Sequence, residues 1–96
     1  MRDTPEMPDW DGLRIFLALS RARTVAAAAR KLGIDETTVA RRLGRLEREM
    51  GAALIERGRG GLALTAAGEA VRAAAEQMES AALSAERRAL GADRRR

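Results

Sequence analysis

TVAAAARKLGIDETTVARRLGRLEREMG, residues 24–51, is the stretch on which the fold turns. Thr24 is a good N-cap, and the alanine run after it has high helix propensity as far as Leu32. Gly33 stops that short helix, and Ile34 plugs the turn as an apolar residue. Asp35 then caps a second helix in which Val39, Leu43, Leu46 and Met50 recur at i, i+4, i+7 and i+11 on one face. Gly51 is its C-terminal stop. A short helix, a glycine-containing turn and a second helix with a basic outer face make a helix-turn-helix.

Upstream, Asp9 caps a helix expected to reach about Arg21, with Leu13, Phe16, Leu17 and Ser20 at helical spacing and Trp10 packed at its start. Downstream, residues 54–57 (LIER) and 62–64 (LAL) are two short strand-like runs separated by GRGG at 58–61, which reads as a small hairpin. Thr65 caps a long helix reaching about Leu90. The expected architecture is mainly α: a winged helix-turn-helix of three helices plus a two-stranded wing over 9–65, then a linker helix over 66–90. Residues 1–8 are expected to be a disordered arm and 91–96 a frayed basic tail.

With 96 residues there is room for one core. Trp10 and Phe16 are the only large rings, and much of the apolar count is alanine, so little bulk is available. Cysteine and histidine are both absent, which removes thiolate metal sites, disulfides and the commonest general base. No cofactor or metal is expected. The polar, proline-containing start resembles no signal peptide and no apolar run spans a bilayer, so a soluble cytoplasmic protein is expected. The charge is unevenly placed: net −3 over 1–11, +6 over 12–65 and +1 over 66–96. The basic excess thus coincides with the helix-turn-helix, which points to a nucleic-acid partner.

In such a motif the N-terminal part of the second helix enters the major groove and meets base edges. Burying Val39, Leu43, Leu46 and Met50 leaves Thr37, Thr38, Arg41, Arg45 and Arg48 broadly outward. Thr37 and Thr38 suit base contacts, and Arg41 suits guanine or a phosphate. Arg42 and Arg45 are expected to reach the DNA backbone. Taken alone, the same arginines also fit a solvated helix face with partners such as Arg45–Glu49. Thr24 combines capping with a phosphate contact at the helix N-terminus, and Arg59 on the hairpin suits a narrow minor groove. Arg57 either reaches DNA or braces the hairpin against Glu47 or Glu56.

Several stretches together resemble the LysR family of transcriptional regulators. They are Phe16-Leu17-Ala18, Thr24-Val25, Ala28 to Ile34, Val39 to Leu43, Leu46-Glu47, Met50 to Arg57, Leu62 to Thr65 and Ala67-Gly68. They cover about residues 9–90. The resemblance implies sequence-specific binding to double-stranded DNA, and pairing of two copies through the long helix. A seam of Ala67, Val71, Ala74, Met78, Ala81 and Ala85 at alternating four and three spacing fits that pairing. It also implies a larger ligand-sensing domain in relatives. None follows here, so no small-molecule effector site is expected within this chain.

Three departures bear on specificity. Asp35-Glu36 stands where the family usually carries a neutral pair, and Glu36 puts a carboxylate where many relatives use an amide to read a base. Ala40 replaces a common serine, and Gly60 occupies a wing position that is often basic.

An enzyme is the poorest alternative, because no paired acid and base or phosphate-cradling loop is present. The runner-up is a truncated interaction protein that pairs through its long helix and modulates a full-length relative. That reading needs the seam but not the arginines.

Overall fold

The structure, a computed structural model, describes residues 9–94. The arm expected at 1–8 and the last two residues of the expected tail lie outside the described residues. The order is α1 (Trp10–Ala22), α2 (Val25–Leu32), α3 (Glu36–Met50), β1 (Ile55–Gly58), β2 (Gly61–Leu64) and α4 (Ala66–Arg94). This is the winged helix-turn-helix with a long trailing helix that the sequence predicts.

Each helix start is held by the residue the sequence marks for it. Asp9 accepts from the Asp11 N–H, Thr24 from Ala27 N–H and Asp35 from Thr38 N–H. At α4, Thr65 Oγ1 accepts from Gly68 N–H at 2.9 Å and donates to the Ala53 carbonyl at 2.7 Å. That hydroxyl therefore ties the new helix back to the chain before the wing.

α1 packs against all three other helices and is buried on two sides. Leu13, Phe16 and Leu17 join Leu46, Leu54 and Ala75 in one cluster, with Trp10 and Val71 packed at its margin. Ile15 and Leu19 join Ala28, Ala29 and Val39 in the other, covered in part by Ile34. The second cluster uses the alanines of α2 as a close-approach surface, which lets a short helix pack without bulk. The sequence pattern of α1 suggests only its first side.

The hairpin ladder runs from Ile55 opposite Leu64 to Gly58 opposite Gly61, so Arg59 and Gly60 form the loop. β1 is displaced by one residue from the expected run, and β2 contains the expected 62–64 and starts one residue earlier. Leu54 stays outside the ladder and fills the core instead. α4 also departs from expectation, since it continues through Gly91 to Arg94 rather than fraying. One glycine in an exposed helix costs only about 1 kcal/mol, and Arg94 in the last turn complements the helix dipole.

Two backbone approaches fix the wing and the linker. At Gly68 a Cβ would sit 2.1 Å from the Leu54 carbonyl oxygen, so α4 rests directly on the main chain before β1. At Gly61 a Cβ would sit 2.6 Å from the Arg23 carbonyl oxygen. Both contacts are closer than any side chain permits.

Candidate nucleic-acid interface

α2 and α3 start on the same side of the domain, and the hairpin lies beside them. Thr24 and Val25 from α2, Glu36 from α3, and Arg57 and Leu62 from the hairpin line one surface groove. Residues that the sequence places on three separate elements are thereby brought together.

The hairpin is held there by the turn between α1 and α2. Arg23 adopts the left-handed backbone region, with φ +67°, which is unusual for a side chain other than glycine. In that conformation its carbonyl accepts the Leu62 N–H at 2.8 Å. Its Nε also donates to the Leu62 carbonyl at 3.3 Å. From the other side, Glu47 on α3 braces the entry to β1: its Oε2 accepts from Leu54 N–H at 2.8 Å and from Ile55 N–H at 3.3 Å.

On α3, Glu36, Thr37, Arg41, Arg45 and Arg48 are exposed. Arg41 has no hydrogen-bond or ion-pair partner among the described residues, and neither do Arg57 and Arg59 on the hairpin. Glu47, one of the two acids considered as a brace for Arg57, instead receives main-chain N–H groups. Arg45 pairs with Glu49 at 3.3 Å while remaining largely in solvent.

Two expected contact residues are engaged within the domain. Thr38 is half-buried, and its Oγ1 donates to Asp35 Oδ1 at 2.7 Å. That bond, with the Thr38 N–H, holds the Asp35 carboxyl below its ordinary value. Arg42 is turned toward the start of α1, where Nη2 meets Asp9 Oδ2 at 2.5 Å and Asp11 Oδ2 at 2.9 Å. Asp11 is also bound by Arg14 at 2.6 Å, chiefly through which its carboxyl is lowered.

The expected pairing seam divides along α4. Ala74, Met78, Ala81 and Ala85 are exposed, whereas Val71 packs in part against the domain's own core. The buried alanine of this helix is Ala75, one residue from the seam. Leu83 and Leu90 add exposed apolar surface. Among the described residues no helix is long and apolar enough to cross a membrane.

Comparison with known proteins agrees with this architecture. The family described as bacterial regulatory helix-turn-helix protein, lysR family, matches residues 10–69. The Mau operon transcriptional activator of Paracoccus denitrificans is 44% identical over 48 residues, which is 50% of this chain and 17% of that protein. Among solved structures, a mutant OxyR of Corynebacterium glutamicum superposes with a TM-score of 0.85 at 31% identity. The match covers 93% of this chain and 29% of that one. The DNA-binding domain of CbnR, solved in complex with DNA, superposes with a TM-score of 0.78 at 32% identity. It covers 88% of this chain and 97% of that domain. The chain thus spans about a fifth of the length of its curated relatives and nearly all of an isolated DNA-binding domain. Family match, element order and superposition agree: the chain belongs to the LysR family of bacterial regulatory helix-turn-helix proteins.

Proposed function

We propose that this domain binds double-stranded DNA sequence-specifically as the reading module of a transcription regulator. The N-terminal half of α3 enters the major groove and the hairpin flanks the minor groove. The observation that carries this reading is the meeting of Thr24, Glu36 and Arg57 around one groove, beside an α3 face on which Arg41 is exposed. The CbnR domain, which superposes over nearly its whole length, was solved on DNA, which supports DNA binding by this fold.

In this arrangement Arg41 contacts a guanine edge or an adjacent phosphate, and Thr37 meets a base edge. Thr24 accepts the Ala27 N–H at 3.0 Å, which leaves its hydroxyl proton for a phosphate oxygen at the α2 N-terminus. Arg57 and Arg59 supply positive charge from the hairpin, and Arg45 shifts from Glu49 to the DNA backbone. Glu36 accepts from a cytosine amino group and repels phosphate, so it biases one position toward a C·G pair. Two copies pair through the exposed Ala74, Met78, Ala81 and Ala85 of α4, which presents two reading helices to a two-fold site.

Selection of binding sites from a random duplex pool tests the reading. A shared motif, with affinity that falls steeply as salt rises, is expected. Glu36→Gln is expected to change the preferred base at one position. Absence of binding even at low salt would sink DNA recognition, and identical selected sites would remove Glu36 from it.

A further inference from the structure

We infer that Arg21 and Glu79 form a clamp that sets the angle of α4 and so fixes which half-site spacing a paired protein accepts. The inference rests on the two-fold arrangement proposed above. α4 is packed into the domain only over its first turns, through Gly68, Val71 and Ala75, and Ala75 is its last buried residue. One turn later, Arg21 at the end of α1 grips Glu79 with both nitrogens, at 3.1 and 2.9 Å to separate carboxylate oxygens. The same guanidinium lies 3.8 Å from Glu76, which Arg72 in turn approaches at 3.6 Å.

Past Glu79 no residue of α4 is buried, among the described residues, as far as Arg94. That segment is a lever about 22 Å long at the helical rise. A small rotation about the Ala75 contact therefore grows along the pairing seam, from Met78 through Ala81 to Ala85 and beyond. Apolar packing at Ala75 resists separation of the helices but is non-directional, whereas a two-pronged guanidinium–carboxylate pair has a defined plane and orientation. Arg21 and Glu79 are thus the directional element closest to the free arm. Neither lines the groove of Thr24, Glu36 and Arg57, so their role is positioning, not contact.

The test uses duplexes carrying two selected half-sites whose separation changes in single base-pair steps. Each step turns one half-site by about 35° relative to the other. The wild-type chain is expected to prefer one spacing sharply. Glu79→Gln is expected to flatten that preference by about fivefold, the scale an exposed pair supports, with unchanged affinity for a single half-site. Exchanging the charges, Arg21→Glu with Glu79→Arg, is expected to restore the profile. A sharp profile that Glu79→Gln leaves intact would overturn the clamp alone. A wild-type profile with no spacing preference would overturn the paired arrangement, and the clamp with it.

Discussion

Arg42 Nη2 stands 2.5 Å from Asp9 Oδ2, so an arginine of the reading helix is anchored to the N-cap of α1, 33 residues earlier in the chain. Asp11 joins the same guanidinium at 2.9 Å. The two neighbouring arginines of α3 are therefore differently placed, one tied to the scaffold and one turned to solvent.

Their substitutions are expected to separate accordingly. Arg42→Ala should lower unfolding stability by about 1 kcal/mol, through loss of a partly buried pair, and leave the salt dependence of DNA binding unchanged. Arg41→Ala should do the reverse, weakening binding by about 1–3 kcal/mol with little change in stability. Denaturant unfolding and binding titrations at two salt concentrations check both. A reduced salt slope for Arg42→Ala would show that the anchor opens on DNA.

Gly68→Ala is expected to be among the most damaging small changes in the chain. Its added methyl would meet the Leu54 carbonyl at 2.1 Å, where the obstacle is main chain and not a flexible side chain. A loss of about 3 kcal/mol is expected in urea unfolding, at the upper end of ordinary overpacking. Gly91→Ala, with nothing within 4 Å, serves as the control and should stabilise α4 slightly.

Glu47→Ala should release the start of the wing. Leu54 N–H and Ile55 N–H would lose a charged acceptor, at a cost of about 2 kcal/mol. Hydrogen exchange at these two amides is expected to accelerate before that of α1. Uniform acceleration across the domain would contradict a local brace.

Stability should be level through neutral pH and fall only in acid. The chain has no histidine, so no side chain has its ordinary titration between pH 5 and 8. Asp11, Asp35 and Glu79 are all held below ordinary values of 3.8, 3.8 and 4.5, chiefly by Arg14, Thr38 and Arg21 respectively. A depressed carboxyl contributes stability above its unfolded value and loses it as pH falls through the folded one. Urea midpoints from pH 7 to 2 should therefore decline below about pH 4. Asp35→Asn, which keeps a good cap, should shrink that decline; an undiminished slope would count against Asp35 as a source.

Local chemistry was the legible part of this fold. The caps at Asp9, Thr24, Asp35 and Thr65 and the stops at Gly33 and Gly51 act within a turn of themselves, so sequence alone places them. The partners of Arg42 and Glu47 lie on other elements, and no spacing rule reaches them. Thr38 illustrates the limit from within one helix: the apolar pattern sets it outward, whereas it is half-buried and bonded to Asp35. α4 was ambiguous for a different reason. Residues 73–75 are all alanine, so periodicity had nothing with which to distinguish buried Ala75 from exposed Ala74. Gly61 marked a turn in sequence and Gly68 a stretch of the family resemblance, while the carbonyl pressed against each became visible only in three dimensions.

The Arg23–Leu62 contact separates the tip of the hairpin from its mount. One of the hairpin's holds on the body is a main-chain N–H to a main-chain carbonyl, admitted by the bare Cα of Gly61, beside the Glu47 brace and the packing of Ile55, Leu62 and Leu64. The tip at Arg59-Gly60 takes no share in that attachment. Residue 59 can thus be exchanged without re-aiming the hairpin, whereas Gly60, at φ +77°, holds the turn itself; a library varied at position 59 would sample contacts while the mount stays fixed.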